Sequence, residues 1–206
     1  MEPTVGVLAL QGDFAEHLSV LTRLGVPALD VRRRDQLERV AALIMPGGES
    51  TTISRLLLQF GLFEPLRERA LAGMPVWGTC AGAILLAREV RTLDRPSLGL
   101  MDMVVDRNAF GRQIDSFEAD VEIEGIGGGP VRAVFIRAPI FTDVGPQARV
   151  LGRLADGTVV AVRQGNLLAT SFHPELTDDT RVHERFLELA GVRPARGETA
   201  VARAGR

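Results

Sequence analysis

The 206-residue sequence has one cysteine, little net charge and no long apolar run, and each shortage excludes a class of protein. Cys80 alone cannot form a disulfide within the chain. A formal net charge of −2 gives no general affinity for nucleic acid or for an anionic membrane. No apolar stretch reaches the roughly 20 residues that span a bilayer, and the first residues do not resemble a signal peptide. We therefore expect a cytoplasmic protein with no nucleic-acid or membrane partner.

Hydrophobic residues make up 46% of the sequence, which is enough to form one domain with a full core. Continuous apolar runs alternate with helical patterns in the first half, whereas the second half contains mostly strand patterns. This order predicts an α/β fold with a central, mostly parallel sheet and an antiparallel β-rich excursion. We expect the domain to span residues 1–191. Residues 192–206 are rich in arginine and have little to bury, so a disordered tail is predicted there.

The only cysteine lies in Gly78-Thr79-Cys80-Ala81-Gly82, between a predicted strand at 75–79 and a predicted helix at 81–90. A strand that turns directly into a helix forces the residue between them into a strained conformation, and flanking glycines relieve the crowding. The helix amino terminus would stabilise a thiolate, and the Ala81 N–H could bind an oxyanion. A lone buried cysteine more often only packs. The small residues on both sides nevertheless favour a nucleophile.

A second strand end carries Pro46-Gly47-Gly48-Glu49-Ser50, where free N–H groups near Gly48 could bind a carboxylate or an oxyanion. A phosphate loop fits less well, because Gly-Lys-Ser/Thr is absent and Glu49 would repel phosphate. Ser50 is predicted to cap the following helix. Gln11 and Gly12 should lie at the same sheet edge, with Gln11 either in the site or bonded to nearby backbone.

The sequence has three histidines that could act as the general base for the cysteine. His173 follows the last predicted strand, and Glu175, two residues later, could hold one imidazole nitrogen while the other faces Cys80. His17 and His183 lie on predicted helices and are expected to be exposed. Asp13 is expected to cap the first helix. Together with the cysteine motif, His173 and Glu175 predict acyl transfer through a thioester.

Segments 46–50, 78–82 and 173–175 together resemble the three motifs of triad-type glutamine amidotransferases, whose glutaminase domain is a flavodoxin-like, three-layer α/β fold. Within that superfamily the chain resembles the glutaminase subunits of pyridoxal 5′-phosphate synthase from about Thr4 to about Gly191. The segments that carry this closer resemblance are 10–12, 48–52, 107–113, 116–118 and 135–139.

The resemblance implies that Cys80 is the nucleophile and that His173 and Glu175 complete a triad. It implies an oxyanion hole formed by the N–H groups of Gly48 and Ala81. L-glutamine would be contacted by Gly48, Glu49, Ser50, Arg107, Ile136 and Arg137. The family's chemistry implies no metal and no cofactor in this chain.

By the same resemblance, the chain hydrolyses L-glutamine to L-glutamate and ammonia. The ammonia would pass to a separate synthase subunit, which joins it to a pentose phosphate and a triose phosphate to make pyridoxal 5′-phosphate. A flip of the Gly47–Gly48 peptide is predicted to keep the isolated subunit nearly inactive until that partner docks near Gln11 and Gly12. Two alternatives remain. One is a cysteine hydrolase of peptide or glutamyl bonds, and the other is a binding subunit with a degenerate site.

Overall fold

A central sheet with helices on both faces makes up most of the structure, a computed structural model that describes residues 3–91, 95–107 and 116–193. The strands are β1 Val5–Leu8, β2 Ala28–Val31, β3 Ala42–Met45, β4 Val76–Thr79, β5 Ala87–Arg91, β6 Met101–Asp106, β7 Ser116–Val121, β8 Val131–Ile136, β9 Ile140–Val144, β10 Arg149–Arg153, β11 Val159–Gln164 and β12 Leu167–Thr170. The helices are α1 Phe14–Arg23, α2 Arg34–Leu37, α3 Ser50–Gln59, α4 Phe63–Leu71, α5 Ala81–Leu86 and α6 Arg181–Leu189, with a 3-10 turn at Pro174–Leu176.

The sheet has a parallel half and a largely antiparallel half. Strands β2, β1, β3, β4 and β12 lie side by side in that order and are parallel. Antiparallel pairing then adds β11, β9 and β6, while β5 lies parallel to β6 at the edge and β10 pairs with β11. Strands β7 and β8 form a separate antiparallel hairpin. Because Thr79 of β4 lies opposite Thr170 of β12, the residues that follow these two strands meet at one edge.

Alternate residues of the parallel strands face two separate cores, as strands covered on both faces require. Val7, Ile44 and Trp77 pack with residues of α1, α6 and the β7–β8 hairpin. Leu43 and Met45 pack on the opposite face with residues of α3, α4 and α5. The three layers confirm the predicted α/β fold with a mostly parallel sheet and an antiparallel extension. Within the described ranges, no helix combines the length and apolarity needed to cross a membrane.

The structure corrects the sequence prediction on either side of the cysteine helix. The helix predicted for 81–90 ends at Leu86, and Ala87 turns to extended backbone and begins β5. Pairing with β6 supplies hydrogen bonds for this segment, and the exposed Arg88 and Glu89 tolerate a sheet edge. Strand β9 was not predicted. At the carboxyl end Val192 is buried in the core beneath α6, whereas residues 194–206 of the predicted tail lie outside the described part of the chain.

Candidate active site

Cys80 occupies the sharp turn between β4 and α5, as predicted. Its backbone has φ 45° and ψ −103°, a conformation that costs free energy for a residue with a Cβ. The Cys80 N–H donates to the carbonyl of Thr170 at 2.8 Å, and its carbonyl accepts from Ile84 at 3.1 Å. A Cβ at Gly82 would overlap the backbone of Met45, and one at Gly78 would overlap Gly82. The two glycines therefore allow the strand and helix to approach closely enough to form this turn.

His173 follows β12 and lies at the same edge as Cys80. Its backbone N–H donates to the carbonyl of Val134 at 2.8 Å, which ties it to the β7–β8 hairpin. Its Nδ1 lies 2.8 Å from Oε1 of Glu175, and interaction with the Cys80 side chain raises the pKa of its ring. Since Nδ1 is occupied by the carboxylate, Nε2 is the nitrogen left for the thiol. The structure thus brings the three predicted groups into the order cysteine, histidine, glutamate.

The imidazole of His173 lies between two acidic groups, and this decides its protonation. Burial lowers the pKa of His173, but hydrogen bonds and charge from Cys80 and Glu175 outweigh it and raise the pKa to about 10. Burial raises the pKa of Glu175, and the bond to His173 opposes that shift. The arrangement favours a protonated imidazole at neutral pH, held between the side chains of Cys80 and Glu175.

A cavity of about 610 Å³ opens above Cys80, a size common for small-molecule sites. Most of the predicted site residues line this cavity, namely Gly48, Glu49, Ser50, Cys80, Arg107, Ile136, Arg137 and His173. Ala81 is buried at the start of α5, directly after Cys80. Glu175 is buried and bonded to His173. Residues 108–113 of the segment that begins at Arg107 lie outside the described residues.

Glu49, not Ser50, caps helix α3, so the predicted cap was wrong. The Glu49 carboxylate accepts N–H bonds from Thr51 at 3.0 Å and Thr52 at 2.6 Å. Burial raises the pKa of Glu49, but these bonds outweigh it and lower the pKa overall. Oε1 of Glu49 also lies 3.2 Å from Nη2 of Arg107. The cavity wall therefore presents an adjacent anion and cation.

Other groups on the cavity wall suit contacts with a polar ligand. The Ser50 hydroxyl is buried and has no hydrogen-bond partner among the described residues. The Ile136 carbonyl lies 3.9 Å from Sγ of Cys80, where it can accept from the thiol. Arg137, with φ 44°, holds a conformation unusual for a side chain with a Cβ. Such strain is common at functional sites.

The glycine pair before Glu49 packs against the loop that follows β1. The Gly47 carbonyl accepts from the Asp13 N–H at 3.2 Å, and Oε1 of Gln11 accepts from the Glu49 N–H at 2.7 Å. Gln11 therefore satisfies backbone, and the backbone it satisfies belongs to the site. The peptide bond between Gly47 and Gly48 is trans. Its N–H, on Gly48, therefore points in the opposite direction to the Gly47 carbonyl and away from the Asp13 amide.

Asp13 is a site residue that the sequence prediction missed. Its side chain makes no capping bond to α1, and its Oδ2 lies 3.4 Å from Nδ1 of His173. Asp13, His173 and Glu175 place possible metal-ligand atoms within 4.8 Å of one another in the part of the chain that the structure describes. Nδ1 of His173 is already bonded to Glu175, however, so a metal there would break that bond. The predicted absence of a metal or cofactor stays a prediction.

The predictions for His17 and His183 were wrong, because both side chains are fully buried. His17 shares the buried face of α1 with Val20 and Leu21, and His183 shares that of α6 with Phe186. Their rings contact each other, with His17 Nδ1 3.0 Å from His183 Nε2. Polar partners on other elements make burial tolerable. A single helix pattern carries no signal of such partners.

Comparisons with known proteins identify the family of the chain. A model of the SNO glutamine amidotransferase family matches residues 7–191. The pyridoxal 5′-phosphate synthase subunit PdxT of Roseiflexus castenholzii is 57% identical over 188 residues, which cover 90% of this chain and all of the relative. The subunit of the same name from Herpetosiphon aurantiacus is 58% identical over 189 residues, with the same coverage.

Solved structures extend the comparison to the fold. A crystal structure of a glutamine amidotransferase is 54% identical, with a TM-score of 0.87 over 91% of this chain and 99% of its own. The structure of PurLQS from Thermotoga maritima has a TM-score of 0.71 at 16% identity, and that likeness concerns the fold alone. The family match over most of the chain and the close relatives lead to one conclusion: this chain belongs to the SNO glutamine amidotransferase family.

Proposed function

We propose that the chain is the glutaminase subunit of a pyridoxal 5′-phosphate synthase, with Cys80, His173 and Glu175 as its catalytic triad. It hydrolyses L-glutamine to L-glutamate and ammonia and supplies the ammonia to a synthase subunit. The triad is supported by one arrangement: Cys80, on its strained turn, lines the same cavity as His173, and His173 is bonded to Glu175. The relatives are named as subunits of pyridoxal 5′-phosphate synthase, and this name supports a partner synthase subunit. We assign this activity to the domain predicted for residues 1–191, to which the buried Val192 also belongs, and we propose that a tail follows it.

The first chemical step forms a thioester. The Cys80 thiolate attacks the side-chain carboxamide carbon of glutamine, and the negative charge moves to the carboxamide oxygen. The N–H groups of Ala81 and Gly48 stabilise that oxyanion. The protonated His173 gives its Nε2 proton to the departing nitrogen as the carbon–nitrogen bond breaks, so ammonia leaves and a γ-glutamyl thioester remains.

Hydrolysis of the thioester restores the enzyme. The now neutral His173 takes a proton from water, whose oxygen attacks the thioester carbon. A second oxyanion forms in the same hole and collapses, which expels the Cys80 thiolate and releases L-glutamate. His173 is again protonated. Throughout both steps Glu175 holds Nδ1 of His173 and stabilises the positive ring.

The adjacent charges on the cavity wall fit the free amino-acid end of glutamine. The Arg107 guanidinium can pair with the α-carboxylate as a planar fork, and the Glu49 carboxylate can accept from the α-ammonium group. The Ser50 hydroxyl, which has no hydrogen-bond partner among the described residues, and backbone groups at Ile136 and Arg137 complete the contacts. A peptide substrate has no free α-carboxylate at an internal residue, so this pairing favours a free amino acid.

Arg107→Ala is expected to raise the KM for glutamine by about 10- to 100-fold, the cost of one charge-assisted contact, with kcat changed much less. Steady-state ammonia release in the presence of the synthase subunit measures both constants. Arg132→Ala is the matched control, because Arg132 pairs with Glu118 and Asp120 on the exposed face of the β7–β8 hairpin and does not line the cavity. An unchanged KM in Arg107→Ala would remove Arg107 from the glutamine site.

The proposed function is tested by ammonia release from glutamine, measured for the chain alone, for the chain with its synthase subunit, and for Cys80→Ala in the same complex. We expect little activity alone, strong activity in the complex and none in the variant. A complex that releases no ammonia refutes the glutaminase assignment. Full activity of the isolated chain would instead refute only the control by the partner.

A further inference from the structure

Glu175, the last member of the proposed triad, has two carboxylate oxygens that differ in their hydrogen bonding. Oε1 accepts the bond from Nδ1 of His173 at 2.8 Å. Oε2 is buried and has no aligned hydrogen bond among the described residues. A buried carboxylate oxygen without a donor is costly, since it has lost water and gained nothing. The group opposite Oε2 therefore bears on whether Glu175 stays ionised.

That group is His17 of helix α1, whose Nε2 lies 3.4 Å from Oε2 of Glu175. Both side chains are 0% exposed. The same Nε2 lies 3.3 Å from the hydroxyl of Thr79, the residue before Cys80. The ring of His17 also packs edge-on against Trp77 at 5.6 Å between centroids. His17 is thus fixed between the strand that carries the nucleophile and the carboxylate that orients the base.

The other side of His17 determines where its proton lies. Nδ1 of His17 is 3.0 Å from Nε2 of His183, which itself packs against Trp77. Burial, followed by the charges of His183 and His173, lowers the pKa of His17 well below its ordinary value. Burial and the charge of Arg23 lower the pKa of His183 to about 3. Both rings are therefore neutral, and each carries a single N–H.

One placement of the two protons satisfies the contacts better than the other. With the His17 proton on Nε2, that N–H faces Oε2 of Glu175 and the Thr79 hydroxyl, and Nδ1 accepts from His183 Nε2–H. With the proton on Nδ1, a lone pair would face the carboxylate, and His183 would hold its proton on Nδ1. That atom is buried and has no partner among the described residues. The first placement avoids both a repulsion and a buried, unpaired N–H.

We propose that His17 is a positioning residue for the triad, donating its Nε2–H to Oε2 of Glu175 with its orientation set by His183. The inference rests on the proposed triad. The contact of 3.4 Å is long for a hydrogen bond, but it is close enough for an N–H group and a buried carboxylate to attract each other. Through this bond Glu175 remains an anion, and its Oε1 stays aligned with Nδ1 of His173. The polar chain behind Cys80 then runs His173, Glu175, His17, His183.

Two variants of His17 distinguish the loss of its hydrogen-bond donor from the loss of its side-chain volume. The amide group of glutamine reaches the position of Nε2, whereas that of asparagine reaches only the position of Nδ1. In the complex with the synthase subunit, His17→Asn is expected to lower kcat for glutamine by about 10- to 100-fold, with KM changed less than about threefold. His17→Gln should keep kcat within about threefold of wild type, because it restores a donor to Oε2. Val20→Ala, on the same buried face of α1, controls for lost packing.

The pH profile provides a readout that a merely structural role would not move. Loss of a donor to the carboxylate raises the pKa of Glu175, so protonation would begin at higher pH. The acidic limb of kcat should therefore shift to higher pH in His17→Asn, and not in His17→Gln or Val20→Ala. The other groups facing Glu175, namely His173 and Asp13, are unchanged in all three variants, as is Arg23 near His183.

Equal kcat in the two His17 variants, or a loss that only follows melting temperature, would overturn the inference while leaving the triad intact. If the triad assignment were wrong, Cys80→Ala would instead keep full activity. If His17→Asn does not fold, a long-range ¹H–¹⁵N spectrum of the wild-type chain decides the question. A proton on Nε2 of His17 supports the inference, and a proton on Nδ1 refutes it.

Discussion

Cys80→Ala is expected to lower glutamine hydrolysis in the complex by about 10⁴-fold or more, to the background of the assay, because no thioester can form without the thiolate. The chain offers no second thiol to replace it. Initial rates of ammonia release, measured at saturating glutamine, give the value. The variant should still bind glutamine, since Glu49, Ser50 and Arg107 are untouched.

Stability provides the control for this variant. Alanine keeps the strained backbone of residue 80 and removes only one sulfur from a side chain that is 6% exposed, so the melting temperature should change by a few degrees at most. Residual activity within tenfold of wild type, in a folded variant free of wild-type contamination, would show that Cys80 is not the nucleophile.

His173→Asn is the second large effect, with an expected loss of about 10²- to 10⁴-fold in kcat. Asparagine can still occupy the position of Nδ1 and bond to Glu175, but it offers no proton at the position of Nε2. The departing ammonia would then lack its acid, and the attacking water would lack its base. Rapid-quench measurement of the acyl-enzyme should show both steps slowed. A loss smaller than tenfold would exclude His173 as the acid–base group.

The raised pKa of His173 also predicts the alkaline side of the wild-type profile. Because that pKa lies at about 10, the imidazole keeps its proton through the neutral range and loses it only as the pH approaches that value. We expect kcat/KM to fall there as the proton for ammonia is lost, and we expect His173→Asn to lack this fall. A fall centred near the ordinary histidine pKa of about 6.5 would contradict the protonated ring between Cys80 and Glu175.

Local signals explain why the nucleophile turn was predictable. Gly78 and Gly82 are needed within a few residues of Cys80, and the strand and helix that meet there are adjacent in sequence. His173 and Glu175 likewise lie two residues apart. A short motif records such geometry because the chain itself holds the groups at nearly fixed spacing. The mostly parallel sheet was predictable for a similar reason, since its strands read as unbroken apolar runs.

The errors arose where distant segments decide the outcome. His17 and His183 are 166 positions apart, and each is buried against the other and against Trp77, while His17 also lies beside Glu175. Asp13 turns from its helix toward His173 for the same reason. The cap of α3 was a different error, because Ser50 is the better general cap but Glu49 can bond both the Thr51 and Thr52 amides.

The solitary cysteine has a consequence for oxidative damage. A sulfenic acid on Cys80 would find no other cysteine among the 206 residues with which to condense, so a protective disulfide within the chain is excluded. Repair would require a small external thiol to enter the cavity and reach a sulfur that is almost fully covered. Until that happens, further oxidation to the irreversible sulfinic acid competes with rescue. Substrate that fills the cavity should therefore also protect the chain from peroxide.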